Sequence, residues 1–266
     1  MKIGIVCYPT YGGSGVVATE LGLALAKKAN EIHFISYKQP VRLDFLSEKI
    51  FFHQVYVPDY PLFKFQPYEL ALSSKLVDIV MNYNIDILHV HYAIPHAYAA
   101  YMAKKMLEAN SVHIPVVTTL HGTDITLVGN HPFYKNAVKF SIDNSDYVTA
   151  VSNSLKVQTE NIFNTKKKIE VIPNFVDFSK HKLHNKNCNR DSIASNEKKI
   201  ISHVSNFRPV KRVLDVVKIF QQVRKKIPSK LIMVGDGPDR IKAESYCAKM
   251  GFIDDVNFLG NTEMIT

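Results

Sequence analysis

Short apolar runs of strand length alternate along this chain with longer stretches in which apolar residues recur at helical spacing. The helical stretches cover residues 15–30, 68–84 and 95–108. The apolar runs predict strands over 2–8, 31–36, 51–57, 87–91, 116–120 and 147–151. This alternation is typical of a parallel sheet covered by helices on both faces, so we expect an α/β fold.

The alternation is lost between residues 180 and 199, where the sequence is polar and nearly free of apolar periodicity. It then resumes with predicted strands over 200–205, 231–234 and 256–259 and predicted helices over 213–226 and 239–250. Three strands and two helices amount to half of a doubly wound sheet. We therefore predict an N-terminal domain over 1–172, a linker region over 173–198 and a partial second domain over 199–266.

The composition of the chain is that of a globular protein and not of a membrane protein. The chain has 266 residues, of which 46% are hydrophobic, enough for two modest globular cores. No apolar run approaches the roughly 18 residues that cross a bilayer, and the N-terminus leads directly into a strand. Three scattered cysteines, an odd number, indicate a reducing compartment rather than a disulfide framework. We expect a cytoplasmic protein without membrane insertion.

The formal net charge of +9 is compatible with nucleic acid, a membrane surface or anionic small molecules as partners. Basic residues cluster at 166–168 and 180–186, near the predicted linker, and at Arg208, Lys211 and Arg212 after a predicted strand. They are neither spread along one helix nor interleaved with aromatic residues, as a nucleic-acid face would be. The pattern favours anionic small molecules and argues against nucleic acid.

Polar, glycine-bearing segments follow most of the predicted strands, where ligands of doubly wound sheets bind. The first, in "YPTYGGSGVVATELG", holds Gly12, Gly13 and Gly15 too close together for G-x-G-x-x-G, and no GK[ST] follows. It is either an anion-binding loop at a helix start or a tight turn. The remaining segments are 91–92, 121–124, 152–153, 206–212 and 235–237.

Three of these segments carry candidate chemistry. In "SNFRPVKR", cations precede a predicted helix whose dipole favours a diphosphate, although a solvated basic turn would look the same. In "HVHY", His89 and His91 could bind zinc with His96 or His121, or could be hydrogen-bonded structural residues. In "TLHGTD", Asp124 could simply close a turn through its carboxylate.

Taken together, the motifs resemble the retaining GT-B glycosyltransferases of family four. The resemblance covers nearly the whole chain and rests on "GGSG", "HVHY", "TLHGTD", "VTAVSNSL", "VIPNFVD", "SNFRPVKR", "LIMVGDGPDR" and "FLG", in the family's order. It implies a GT-B fold, with two Rossmann-like doubly wound domains facing a cleft and the second domain incomplete in this chain.

Within that family the resemblance implies transfer of N-acetylglucosamine from UDP-N-acetylglucosamine to the hydroxyl of L-malate, the first step of bacillithiol synthesis. It further implies retention of the anomeric configuration, no cofactor and no metal, and the sequence indeed has no D-x-D triplet. The alternatives are a different acceptor or a truncated, non-catalytic sugar-nucleotide-binding module. The sequence leaves a homodimer open.

The resemblance also assigns residues. His121 matches the family's cleft histidine, which contacts the transferred sugar and is not a nucleophile, and Lys211 matches the phosphate lysine. The family often has an arginine where Asn206 stands, and Arg208 could take over its role. The expected donor-binding residues are Gly13, Ser14, Gly15, Asn206, Arg208, Lys211 and Gly235. The expected acceptor-binding residues are Tyr92, Thr123, Lys135, Asn153 and Lys64.

The family's members carry a further glutamate pair, spaced eight apart, that holds the ribose and sugar of the donor. It would lie beyond the last predicted strand, and the 266 residues do not contain it. From the resemblance we expect residues 1–266 alone to show no measurable turnover and weak UDP binding.

Overall fold

The computed structural model describes residues 1–11, 13–43, 47–178, 190–195 and 197–262, without the side chains of residues 191 and 192. Gly12, Cys188, the basic run 180–186 and much of the predicted linker, namely 179–189 and 196, lie outside the described residues. The chain divides into two compact units, Met1–Phe175 and Val176–Thr266. Within the described residues, no helix combines the length and apolar character needed to cross a bilayer.

The first unit is built on a seven-stranded sheet in which every paired strand runs parallel. The strand order is β3-β2-β1-β4-β5-β6-β7. The strands are β1 (Lys2–Val6), β2 (Glu31–Ser36), β3 (Ile50–Gln54), β4 (Ile87–His91), β5 (Val116–Leu120), β6 (Tyr147–Ala150) and β7 (Ile169–Val171).

Helices connect these strands and cover the sheet. They are α1 (Gly13–Lys27), α2 (Tyr68–Tyr83), α3 (Tyr98–Glu108), α4 (Pro132–Asn144) and α5 (Asn153–Phe163), with short π-helical segments at Ala93–Ala97 and Asp124–Val128. Three hydrophobic clusters form the core, each within residues 3–169. The buried runs of β1 and β2 show why continuous apolar sequences formed strands covered on both faces.

The strand prediction is confirmed for β2, β4 and β5, and the other predicted strands differ by a few residues at their ends. Helix α1 begins at Gly13 rather than at residue 15, and α3 begins at Tyr98 rather than at residue 95. The sequence pattern did not predict α4, α5 or β7. Helix α4 buries only three residues, so its apolar stripe is narrow, and β7 has only three residues.

The order in which strands are added to the sheet reverses at β1. Strand β1 pairs with β2 on one side and with β4 on the other, and successive strands then continue outward in both directions. In open parallel sheets, the crevice for ligands lies at such a switch point, beyond the carboxyl ends of the strands. The loops that follow Val6, His91 and Leu120 are therefore the expected ligand-binding positions of this sheet.

The second unit contains the three-stranded parallel sheet β10-β9-β8. Its core is a cluster that includes Phe207, Phe220 and Phe252. The predicted strands and the two longer helices are confirmed within about two residues at each end. The elements are α6 (Arg190–Ile193), β8 (Lys199–Val204), α7 (Val213–Arg224), β9 (Ser229–Val234), α8 (Arg240–Lys249) and β10 (Val256–Gly260).

Candidate functional site

Aromatic and imidazole rings gather where β1, β4 and β5 end. Tyr8, just after β1, meets Tyr92 edge-to-face at 5.2 Å between ring centroids and His96 at 4.6 Å. Tyr92, just after β4, stacks on His121, just after β5, at 5.5 Å. The switch point thus brings together side chains that are distant in the sequence.

A column of histidines lies beneath this surface. His89 and His91 alternate along β4, so they share one face, and their rings stack at 4.6 Å. The Nδ1 atom of His91 lies 2.8 Å from Nε2 of His121, while Nε2 of His89 lies 2.7 Å from the Thr119 hydroxyl. His96 contacts the main chain of the same strand, with Nδ1 2.5 Å from the carbonyl oxygen of His91.

These imidazoles are held in the neutral form. Burial lowers the pKa of His89, His96 and His121 to about 4, because the charged form loses its hydration. The pKa of His91 lies well below its ordinary value, also because of burial and then because of the neighbouring histidines. At neutral pH the cluster offers neutral donors and acceptors, not cations.

Asp124 holds the loop that follows β5. Its Oδ1 atom accepts hydrogen bonds from the backbone N–H groups of Gly122, at 2.9 Å, and His121, at 3.2 Å. Its Oδ2 atom accepts one from the N–H of Ala93 at 3.2 Å, which ties this loop to the one after β4. Burial raises the pKa of this carboxyl although the three N–H groups oppose the rise. These contacts agree with the interpretation that Asp124 closes a turn through its carboxylate.

Tyr92 and Thr123, two of the predicted acceptor-binding residues, contact each other. Their hydroxyl oxygens lie 2.7 Å apart, and the Thr123 residue is exposed. Tyr92 has a backbone φ of +90°, which non-glycine residues rarely adopt. A non-glycine residue in this conformation is held by its surroundings and is common at functional sites.

The glycine loop opens α1 at the end of β1. Gly13 is the first residue of the helix and its Cβ position faces open space, so its backbone is accessible. Gly15 is buried, and a Cβ there would lie 2.5 Å from the carbonyl oxygens of Tyr8 and Thr10. Ser14 lies between them, half-buried. The loop needs glycine at Gly15 for close packing and leaves the start of α1 exposed, and anions are favoured at such helix starts.

The other predicted acceptor residues have surroundings of their own in the structure. Lys135 is exposed in the first turn of α4, and Asn153 is exposed as the first residue of α5. Lys64 lies between β3 and α2, with its ammonium 5.7 Å from the ring of Phe65. Among the described residues, no hydrogen bond or ring contact joins these three to Tyr92, Thr123 or His121.

The zinc interpretation of "HVHY" finds no support in the geometry. His89 and His91 share a face, but their ring nitrogens are directed to Thr119 and to His121. Over the part of the chain that the structure describes, no group of three or more His, Cys, Asp or Glu residues could hold a metal ion.

In the second unit, two loops that follow β8 and β9 are locked together. The N–H of Phe207 donates to the carbonyl of Asp236 at 2.9 Å, and the N–H of Asp239 donates to the carbonyl of Phe207 at 3.0 Å. Gly235 has a φ of +115°, and a Cβ there would lie 1.8 Å from the carbonyl oxygen of Ser205. The side chain of Phe207 is fully buried and anchors the loop in the core.

This arrangement leaves polar and cationic groups at the surface beside α7. Asn206, Arg208 and Lys211 are all exposed, and Lys211 ends a short 3-10 turn two residues before the helix begins. Within the described ranges, neither Arg208 nor Lys211 forms an ion pair, whereas Arg212 pairs with Asp215 at 2.6 Å. Two uncompensated cations beside a helix N-terminus suit an anionic ligand.

Two further residues shape the first-unit site, and the sequence reasoning did not assign them to it. Tyr8 follows β1 and packs on Tyr92 and His96, and His96 lies in the π-helical segment after β4. Tyr8 begins the first segment that follows a strand, and this position was the one sequence feature that indicated a place in the site. Nothing local to the sequence around His96 indicated its contact with the carbonyl of His91.

Comparison with known proteins places the chain among sugar-transferring enzymes. The model of "Glycosyltransferase Family 4" matches residues 11–180, and that of "Glycosyl transferases group 1" matches residues 185–265. N-acetyl-alpha-D-glucosaminyl L-malate synthase of Bacillus anthracis is 45% identical over 266 residues, which is 100% of this chain and 69% of that protein.

Solved structures share the fold at low identity. Sucrose-phosphate synthase from Thermosynechococcus elongatus has a TM-score of 0.73 at 16% identity, over 99% of this chain and 71% of that one. Anabaena HepE in complex with UDP-glucose has a TM-score of 0.71 at 16% identity, over 99% and 70% of the two chains. These similarities support the α/β fold class that the sequence predicted.

Proposed function

This chain belongs to the family-four glycosyltransferases of the GT-B fold, and we propose that it transfers N-acetylglucosamine from UDP-N-acetylglucosamine to the hydroxyl of L-malate. The observation that carries the proposal is the 45% identity, over all 266 residues, to an enzyme named for this product. The reaction would be the first step of bacillithiol synthesis, and a cytoplasmic location would suit its soluble substrates.

The loops of the second unit suit the donor. A UDP-sugar carries two phosphates, and Arg208 and Lys211 offer uncompensated cations beside the start of α7. Asn206 is exposed in the same loop and can donate from its amide. Gly235 brings the backbone of the neighbouring loop close to Ser205. Cations at this position would stabilise the charge that develops on a leaving diphosphate, so we propose that no metal is required.

The loops at the switch point of the first unit suit the donor phosphates, the transferred sugar and the acceptor. Gly13, Ser14 and Gly15 open α1, where backbone N–H groups and the helix dipole favour a carboxylate or phosphate. Tyr92 and Thr123 supply hydroxyl groups for the acceptor. His121, held neutral, is suited to a hydrogen bond with the sugar and not to a charge interaction. Lys135, Asn153 and Lys64 remain weaker candidates.

The proposed chemistry retains the configuration at the anomeric carbon through attack on the face from which the diphosphate departs. The bond between the anomeric carbon and the diphosphate oxygen breaks, and a bond to the malate hydroxyl oxygen forms. The hydroxyl proton passes to the departing phosphate oxygen. No protein nucleophile is needed, and the protein contributes orientation and charge stabilisation.

The test is transfer by the full-length protein to a panel of hydroxy acids that includes L-malate, D-malate and L-lactate. Mass spectrometry should detect N-acetylglucosaminyl-malate together with UDP, and the anomeric proton coupling in its NMR spectrum should show the α configuration. Activity should be unchanged in excess chelator. Equal or faster transfer to another acceptor, or strict dependence on added Mg²⁺ or Zn²⁺, would contradict the proposal.

A further inference from the structure

Two ring nitrogens in the histidine cluster are enclosed and have no hydrogen-bond partner. They are Nε2 of His91 and Nε2 of His96, and both side chains are buried. An enclosed N–H without an acceptor is rare in proteins, whereas an acceptor without a donor is tolerated better. The positions of the ring protons can therefore be inferred from the surroundings of these two atoms.

For His96 the tautomer follows from its other nitrogen. The Nδ1 atom lies 2.5 Å from the carbonyl oxygen of His91, and a carbonyl can only accept a hydrogen bond. The proton must be on Nδ1, and Nε2 is then an unprotonated acceptor. The enclosed atom of His96 is thus the kind that is tolerated.

For His91 two arrangements compete. If His121 donated from Nε2 to His91, the single proton of a neutral His91 would be on its enclosed Nε2, which has no acceptor. If instead His91 donates from Nδ1 to Nε2 of His121, its enclosed Nε2 is an acceptor only. Both rings are neutral at pH 7 because burial lowers their pKa values. The second arrangement avoids a buried, unpartnered N–H group.

We propose that His91 is a positioning residue: its Nδ1–H bond to Nε2 of His121 fixes the proton of His121 on Nδ1 and presents that N–H to the sugar nucleotide. Among the described residues the Nδ1 atom of His121 has no hydrogen-bond partner, and it is not one of the enclosed unpartnered atoms. A neutral N–H can only donate, so its partner is an accepting oxygen of the donor substrate. The identity of this substrate rests on the proposed function, and the tautomer does not.

The experiment compares three variants of the full-length protein. His91→Leu removes the donor, and His91→Asn offers an amide N–H near the position of Nδ1. His33→Leu is the matched control, because His33 is also buried on a strand of the same sheet and its Nδ1 lies 2.8 Å from Nε2 of His53. The His33→Leu variant thus breaks a similar histidine pair that lies outside the switch point.

The first readout is the protonation of His121, measured from the ring ¹⁵N shifts in two-bond ¹H–¹⁵N spectra. The wild-type protein and His91→Asn should show the proton on Nδ1, and His91→Leu should move it toward Nε2. The second readout is kinetic: His91→Leu should lower kcat/KM for the sugar nucleotide about tenfold, the equivalent of one neutral hydrogen bond, with the KM for the acceptor unchanged.

A proton on Nε2 of His121 in the wild-type protein would overturn the inference, as would an unchanged His121 tautomer in His91→Leu. Equal kinetic losses in His91→Leu and His33→Leu would assign His91 a purely structural role and would also overturn it. A wild-type protein that ignores L-malate but shows the expected tautomers would contradict the proposed function alone, since the ¹⁵N readout does not depend on the acceptor.

Discussion

The imidazoles of His89, His96 and His121 each have a pKa of about 4, although they lie beside a loop that we assign to substrate. At the scale of the residue, the dominant cause is lost hydration, and neighbouring imidazoles add to it for His121. A neutral ring binds a sugar through directed hydrogen bonds and does not attract a phosphate by charge. In the proposed reaction, the charge that stabilises the diphosphate would therefore come from cationic residues such as Lys211.

Because these histidines are buried, we expect the protein to lose stability in mild acid. A histidine with a folded-state pKa below its unfolded value of about 6.5 binds its proton more readily in the unfolded chain. The stabilisation is complete above about pH 6.5 and is lost as the pH falls toward 4. At pH 5 each such histidine should remove roughly 2 kcal/mol at most from the free energy of unfolding.

Urea unfolding at pH 7 and pH 5, with histidine ring NMR across the same range, measures this effect. The ring signals of His89 and His121 should stay those of neutral imidazole down to about pH 5. Titration of these rings near pH 6.5, or equal stability at the two pH values, would contradict the burial that we describe.

Lys211 is the residue whose charge we expect to matter most. Lys211→Ala should lower kcat/KM for the UDP-sugar by roughly 10- to 100-fold, because a diphosphate loses one charge-assisted hydrogen bond. The KM for L-malate should hardly change. Lys218→Ala is the control, since Lys218 is exposed within α7 and its ammonium faces the ring of Tyr246 at 6.0 Å. Separate donor and acceptor titrations decide, and equal losses for both substrates would place Lys211 outside the donor site.

At the scale of the element, the second unit depends on the fit between the loops after β8 and β9. Gly235 lies so close to Ser205 that no side chain fits, and Gly237 has a φ of +154° with its Cβ position 2.9 Å from the backbone of Phe207. The N–H of Gly235 also donates to the carbonyl of Gly260 at 2.7 Å, which links the loop to the end of β10. The loop that carries Arg208 thus has a rigid support.

Gly235→Ala should destabilise the second unit by about 3 kcal/mol or more, because a Cβ would meet a backbone oxygen at 1.8 Å. The comparison variant is Gly251→Ala. Gly251 also has a positive φ, of +71°, but its Cβ position faces open space, so the expected cost is only about 1 kcal/mol. Hydrogen exchange of the β8 and β9 amides measures both, and similar protection in the two variants would contradict the close fit at Gly235.

At the scale of the whole molecule, the two units have separate cores. The seven-stranded sheet and three hydrophobic clusters lie within Met1–Phe175, and one further cluster lies within Val176–Thr266. A unit that contains its own sheet and core is able to fold by itself. The hydrogen bonds and ring contacts described above for the histidine cluster all lie within the first unit.

Residues 1–175 expressed alone should therefore fold cooperatively and keep the contact between His91 and His121. A dispersed ¹H–¹⁵N spectrum with a single thermal transition is the expected result, and histidine ring shifts should match those of the longer chain. Binding of a hydrophobic dye with loss of the near-ultraviolet circular dichroism signal would show instead that the first unit needs the second for its packing.

Most of the elements, the fold class and the family could be predicted from the sequence. Apolar periodicity is local, so it identified β2, β4 and β5 with their bounds, and the strand-end motifs carried the resemblance. Three features could be seen only in the folded chain: β4 lies beside β1, Asp124 joins two loops, and His91 faces His121. These three contacts join residues 30 or more positions apart, which no local pattern records. The sequence pattern did not predict short elements such as β7 or helices with narrow apolar stripes such as α4, for the same reason. Neighbours in space, not in sequence, stabilise these elements.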